Sequence, residues 1–216
     1  MMMAVVEPDL ETELSLLAEG ATCVIGCDEV GRGALAGPVA VGFAVMNASV
    51  GPFPVGLRDS KLLSEPRRRV LAPQAVEWAL HSAVGLASAQ EVDELGIMAA
   101  LGLAGKRALA DLFAAGVDIS SSVVLLDGAD DWLNKALKTP LSVVTRVRAD
   151  QDCGSVAAAS VIAKVHRDAL MIEADAVHPG YGWASNKGYG SAQHMGAIGQ
   201  LGANDLHRKS WLKISA

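Results

Sequence analysis

The chain has 216 residues, enough for one domain of upper-middle size with its own core. Half of it is apolar (51%) but only 4% is aromatic, so Ala, Val, Leu and Gly must do the packing, as they do in helix-covered sheets of compact soluble α/β proteins. With 24 acidic against 18 basic residues the net charge is −6, which excludes a uniformly cationic nucleic-acid coat but leaves room for a local basic surface.

Residues 1–20 read as a polar lead-in. Glu7, Asp9, Glu11 and Glu13 stand there without a Lys or Arg, the opposite of a signal peptide's basic start, so a cytoplasmic location is expected. Cysteine usage agrees: Cys23, Cys27 and Cys153 are an odd number without zinc spacing, and Cys23 and Cys27 read as small hydrophobes of a strand. Thr22 to Cys27 is that strand, and it runs into the pair Asp28-Glu29. The uncharged stretch from Gly33 to Leu57 is broken by Gly37-Pro38, Gly51-Pro52 and Pro54, so it reads as two buried strands and a turn, with no membrane span. Val39 to Met46 has the continuous apolar character of a central strand.

A polar loop, LRDSKLLSE, fills residues 57–65. Helices are predicted over Arg67 to Ala83, interrupted at Pro73, and over Glu91 to Phe113, where apolar residues recur at helical spacings. Val123 to Leu126 is a short strand closed by Asp127-Gly128, and Ser142 to Val147 is another that reaches Asp150. From Ser155 a long helix follows, with Val156, Ala159, Ala163 and Leu170 available for one packed face. Residues 176–216 carry Lys187, Arg208, Lys209 and Lys213 against Asp205 alone, together with both tyrosines, Trp183 and Trp211. They form a basic, aromatic C-terminal lobe beside a catalytic domain at residues 21–175.

Three apolar runs thus end in acids: Asp28-Glu29, Asp127 and Asp150. Ends of neighbouring strands converge on one crevice, and four carboxylates crowded there make sense when divalent cations neutralise them, although polar turns after strands also supply such residues. Oxygen-only ligands favour Mg²⁺ or Mn²⁺ over zinc. Asp28 and Glu29 are adjacent, so they can serve one site only if the backbone leaves regular β geometry there, which Gly31 and Gly33 make easy. GRGALAG, residues 31–37, does not open a helix at the spacing a dinucleotide loop requires. It reads as a loop whose bare backbone approaches a ligand closely, with Arg32 able to hold phosphate.

The segments CDEVGRGALAGPV, LRDSKLLS, LLDG, RADQDCGSVAAASVIAKVHRD and NKGYGSAQH…HRKSW, in this order, resemble the bacterial type 2 ribonucleases H, the ribonuclease HII family. The resemblance runs from Ile25 to Trp211. It implies a ribonuclease H-like α/β fold, with a central mixed sheet flanked by helices and a small C-terminal helical lobe. It also implies an endonuclease that hydrolyses the RNA strand of RNA–DNA hybrids and nicks 5′ of single ribonucleotides in duplex DNA, using two Mn²⁺ or Mg²⁺ ions and leaving 3′-hydroxyl and 5′-phosphate ends.

Carried over by position, the resemblance makes Asp28, Glu29, Asp127 and Asp150 the metal-binding and catalytic carboxylates. Asp152 is a rival to Asp150, since two residues apart on an extended segment share a face. Gly31, Arg32 and Gly33 would read the ribonucleotide's 2′-hydroxyl, and Tyr189 would stack on the next sugar. Ser60 and Lys61 would contact backbone phosphate, as would Lys164, Arg208 and Lys209. Ser191 replaces the threonine expected after Gly-Tyr-Gly and keeps the hydroxyl. His194 could shuttle protons or serve helix capping and packing, and His166 is expected at the surface of the long helix. The expected partner is nucleic acid alone: a monomer, without an obligate protein partner or an evident clamp-binding motif in Leu212 to Ala216. A junction-resolving nuclease of the same fold and a non-catalytic hybrid-binding module remain the alternatives.

Overall fold

The computed structural model describes residues 7–212. Five strands, β1 (Val24–Val30), β2 (Val39–Met46), β3 (His81–Ala87), β4 (Val123–Asp127) and β5 (Ser142–Arg146), form one sheet in the order β3-β2-β1-β4-β5. β1 is antiparallel to β2 and parallel to β4, β3 is antiparallel to β2, and β5 is parallel to β4, so the sheet is mixed as expected. Every residue of β2 is buried, which is the condition that selects its unbroken apolar sequence.

Helices cover both faces. α4 (Ile97–Ala114) lays Leu101, Ala104, Ala108 and Leu112 against Val41, Phe43 and Val124 on one side. α6 (Gly154–Val177) lays Val156, Ala159 and Val161 against Val24, Ala44 and Leu125 on the other, with α2 (Glu65–Trp78) beside it. The small residues of α6 let its backbone lie close on the strands. α1 (Glu11–Ala18) joins that layer: Leu10, Leu16 and Leu17 pack there, and the Glu13 carboxylate, fully buried, accepts the Ser155 N–H at 2.7 Å near the start of α6. Favourable charge at a helix N-terminus is one reason to bury an acid there. Residues 7–20 of the expected lead-in are therefore docked chain, and residues 1–6 lie outside the described ones.

Two predicted helices are redrawn. α2 runs through Pro73 but ends at Trp78, and His81–Ala87, whose first three residues read from sequence as the end of that helix, is the edge strand β3. Helix-forming alanines at 83 and 87 hid a strand whose identity comes from its ladder with β2. The second helix is two: α3 (Ala89–Leu95), opened by a Ser88–Glu91 capping box, and α4, separated by Gly96 at φ 78°.

The C-terminal lobe contains α7 (Trp183–Asn186) and α8 (Ala192–Leu201) and packs Tyr181, Trp183 and Ile198 on Met171 of α6 and Ala36 of the loop after β1. Its basic character reaches the surface only in part: Lys209 is exposed, and two of the other expected cations are not. Lys187 is 6% exposed and paired with Glu65, and Arg208 is wholly buried. Among the described residues no helix is long and apolar enough to cross a membrane.

Candidate active site

The parallel ladder of β1 and β4 ends at Cys27 and Leu126, so Asp28 and Asp127 are the next residues on neighbouring strands and project from the same face. Asp127 Oδ1 accepts the Ala149 N–H at 2.8 Å, tying the end of β4 to α5 (Ala149–Asp152). That one-turn helix, which follows Arg148 at φ 63°, carries Asp150. Asp28 and Asp150 are both nearly buried, at 2% and 3% exposure. One Asp28 oxygen accepts the Glu29 N–H at 2.8 Å, whereas Oδ2 is buried without a hydrogen-bond partner.

Helical backbone at 149–152 changes the relation of Asp150 to Asp152. The two do not share a face: Asp150 is buried and meets Lys61 Nζ at 3.2 Å, while Asp152 is half-exposed and pairs with Arg146 at 2.9 Å. The departure from β geometry expected at Asp28-Glu29 also does not occur, because β1 stays paired with β2 through Val30. Glu29 therefore alternates to the α4 side, where Arg32 pairs with it at 3.5 Å and also reaches Met98. Asp28, Asp127 and Asp150 gather on the α6 side, and Glu29, from the other face of β1, lines the same cleft as Asp28 at the end of the strand, so the two acids share it without a break in β geometry.

Burial, with the Glu29 and Asp127 charges adding to it and the Ser160 hydroxyl and the Lys61 charge opposing it, raises the Asp28 carboxyl well above its ordinary range. Burial and Asp127 raise Glu29, and the same two causes, with Asp59, raise Asp150. Lys61 is raised too, but in a lysine that favours the charged form: burial works against its charge, and Asp28, Asp150 and Asp59 together outweigh it. Such a set repels itself and gains from a cation. Among the described residues no three His, Cys, Asp or Glu side chains are posed closely enough to hold a metal ion as they stand. Two of the carboxylates instead have Lys61 and Arg32 as their cationic partners. The donor chemistry fits a hard divalent cation, with oxygen ligands only and a buried carboxylate oxygen that lacks a partner.

A cleft of 220 Å³ opens over Asp28 and Glu29, and Gly31, Arg32, Gly33, Ser60, Lys61, Lys164 and Tyr189 line it. Asp59 caps the turn that presents Ser60 and Lys61, and Ser160, on α6, binds the Ser60 hydroxyl at 2.8 Å. Lys164 is held by Asp168 at 2.6 Å. Tyr189 is 37% exposed, with Lys164 Nζ and the Arg167 guanidinium 5.7 and 5.5 Å from its ring centre. A larger hollow of 820 Å³ between α2 and α6 is lined largely by apolar side chains such as Val76 and Ile162 and contains none of the four carboxylates.

Two of the expected phosphate contacts lie elsewhere. Arg208 has no free face for phosphate: its guanidinium is buried and donates to the carbonyls of Gly31, Arg32 and Gly37. Lys209 lies outside the cleft and pairs with Asp205 at 2.9 Å. Arg167, which sequence reasoning passed over as one residue of the long helix, is equally buried and donates to Pro38, Lys187 and Ala36. Its spacing, four residues after Ala163 and three before Leu170, puts it on the face of α6 expected to pack, and that was the only hint.

His194 is a packing residue. The Trp183 indole donates to its Nε2 at 2.9 Å, its Nδ1 meets the Tyr189 carbonyl at 2.9 Å, and His207 Nε2 stands 3.2 Å from its Nε2. His166 is exposed, as expected. Burial, together with the neighbouring His194, pushes His207 down to about 4. Its depressed value means that the unfolded chain binds the proton first, so stability is complete above about pH 6.5 and lost as pH falls toward 4. The loss amounts to about 3 kcal/mol from this residue. Urea unfolding at intervals from pH 7 to pH 4 checks this, and His207→Gln should flatten the decline; an equal decline in both proteins would assign it to other groups.

A family model described as Ribonuclease HII matches residues 25–214. The chain is 45% identical over 212 residues to a Ribonuclease HII of Streptomyces avermitilis, covering 97% of this chain and 86% of that one. Among solved structures, the ribonuclease H2 of Pyrococcus horikoshii OT3 matches with a TM-score of 0.67 and 26% identity, covering 88% of this chain and 94% of that one. The ribonuclease HII of Archaeoglobus fulgidus, solved as a complex with PCNA, matches with a TM-score of 0.64 and 25% identity over 89% and 96% of the two chains.

Proposed function

The chain belongs to the ribonuclease HII family, hydrolytic endoribonucleases of RNA–DNA hybrids, and from that premise we propose that Asp28, Glu29, Asp127 and Asp150 are its catalytic carboxylates and hold two divalent cations, Mn²⁺ or Mg²⁺. The observation that carries this reading is the buried, partnerless oxygen of Asp28, beside Asp127 and beneath a cleft that Lys61, Lys164 and Tyr189 line. Bound there, the cations would lower the pKa of the attacking water and stabilise the leaving 3′ oxygen.

The chain's own groups do the rest. Asp28 and Asp127, fixed by strand register, and Asp150, which Lys61 now neutralises, would be the acids that hold the cations. Lys61, Arg32 and Lys164 offer cations to the phosphates on either side of the cut. The N–H groups of Gly31, Arg32 and Gly33 have no acceptor among the described residues, which leaves them as donors for a 2′-hydroxyl. Tyr189, half-exposed over Lys164 and Arg167, offers a flat face to the following deoxyribose. No Ser, Cys or His serves as a covalent nucleophile on this reading.

The enzyme acts as a monomer and nicks on the 5′ side of a single ribonucleotide, leaving 3′-hydroxyl and 5′-phosphate ends. A clamp such as the one bound by the archaeal relative would add recruitment and no catalytic group. Residues 213–216 of the tail lie outside the described residues. The test is a labelled DNA duplex with one ribonucleotide, run beside all-DNA and long-hybrid duplexes in Mg²⁺, Mn²⁺ and EDTA. A metal-dependent nick 5′ of the ribonucleotide is expected, and cutting of the all-DNA duplex would replace this reading with that of a junction-type nuclease.

A further inference from the structure

The loop after β1 is held from beneath by two buried cations. Arg208, from the end of the C-terminal lobe, donates to the carbonyls of Gly31 at 2.7 Å, Arg32 at 2.9 Å and Gly37 at 3.2 Å. Arg167, from α6, donates to those of Pro38 at 2.8 Å, Ala36 at 3.0 Å and Lys187 at 2.9 Å. Neither guanidinium forms an ion pair with a carboxylate among the described residues, and both are 0% exposed. A buried charge without a counter-ion is costly unless dipoles solvate it, so these carbonyls must face inward for the arginines to remain buried.

The consequence lies on the loop's other side. Leu35, Ala36 and Gly37 give their N–H groups to Gly188 and Leu206, which leaves the N–H groups of Gly31, Arg32 and Gly33 as the partnerless ones at the cleft. Gly31 has φ +83°, and a Cβ on it would fall 2.1 Å from Arg167 Nε, so the loop's bare backbone rests directly on the guanidinium. Arg167 also lies 5.5 Å below the centre of the Tyr189 ring, and Arg208 is steadied by the Trp211 ring at 5.0 Å.

We propose that Arg167 and Arg208 are positioning residues for sugar discrimination: by gathering the carbonyls of residues 31–38 they turn the loop's free N–H groups toward a 2′-hydroxyl, and Arg167 sets the height of Tyr189 against that loop. This rests on the reading of the loop and Tyr189 given above. It makes recognition of the ribonucleotide depend on the docking of the C-terminal lobe, although Arg208 itself touches no substrate. Lysine cannot replace either residue in full, because a single ammonium does not span carbonyls that a planar fork reaches together.

The experiment measures binding of two duplexes in EDTA, one with a single ribonucleotide and one all-DNA, by fluorescence anisotropy with wild type, Arg208→Met, Arg208→Lys and Arg167→Lys. The ratio of the two affinities is unaffected by the fraction of each sample that is folded, so destabilised variants remain informative. Wild type should prefer the ribonucleotide duplex, and Arg208→Met should reduce that preference by up to about tenfold, the upper end for loss of one neutral hydrogen bond to the 2′-hydroxyl. Arg208→Lys should recover part of it, Arg167→Lys should also lower it, and all-DNA affinity should stay unchanged. Variants that keep the wild-type ratio would overturn the role of the arginines alone, whereas a wild type without preference would overturn the reading of the loop.

Discussion

Asp28→Asn should lower kcat by roughly a thousandfold or more, with duplex affinity within a few-fold of wild type. Asp28 is the most buried of the four proposed ligands, and its partnerless oxygen at the cleft marks a place for a positive partner. The amide keeps the shape and the Glu29 N–H contact through Oδ1, but it brings a donor where a cation needs an acceptor. Lys61, Lys164 and Tyr189 are untouched by the change, so phosphate and sugar contacts persist. A stability measurement separates chemistry from folding: in EDTA the variant should melt at or above the wild-type temperature, since it removes a buried charge that burial and Glu29 already disfavour. Steady-state cleavage, anisotropy and melting check the three parts, and a variant that cuts at near wild-type rate would remove Asp28 from the catalytic set.

Gly26→Ala should destabilise the protein by about 3 kcal/mol or more. Gly26 faces α6 from the middle of β1, and a Cβ there would lie 2.2 Å from the Ser155 carbonyl carbon and 2.5 Å from the Val156 nitrogen. Those are backbone atoms of the helix's first turn and cannot swing aside as a side chain would. Relief requires α6 to lift from the sheet, and α6 begins directly after the helix that carries Asp150. The same substitution should therefore also move Asp150 relative to Asp28. Urea unfolding in EDTA checks the loss, and a change below about 1 kcal/mol would mean that the helix yields more easily than close packing allows.

The candidate site was more legible in the sequence than the fold's edges were. Acids following apolar runs pointed to Asp28, Asp127 and Asp150 because strand register is a local matter and a parallel sheet aligns its ends. Asp150 could not be separated from Asp152 in that way, because the short helix at 149–152 is held by Asp127 and Asp9, through contacts far apart in sequence. β3 was missed for a similar reason: an edge strand of small residues is defined by its neighbour. Arg208 illustrates a different limit. Charge on a motif near the chain's end suggests phosphate, and only the inward carbonyls of the loop between β1 and β2 make burial of that charge sustainable.

The most direct test of the carboxylate site is calorimetric titration of Mn²⁺ into the wild type, Asp28→Asn, Asp150→Asn and Asp152→Asn. Wild type and Asp152→Asn should bind the ion alike, with release of protons from carboxylates whose pKa values burial has raised, and Asp28→Asn and Asp150→Asn should lose most of that affinity. Loss in Asp152→Asn with retention in Asp150→Asn, or binding unchanged by Asp28→Asn, would contradict the assignment of the site.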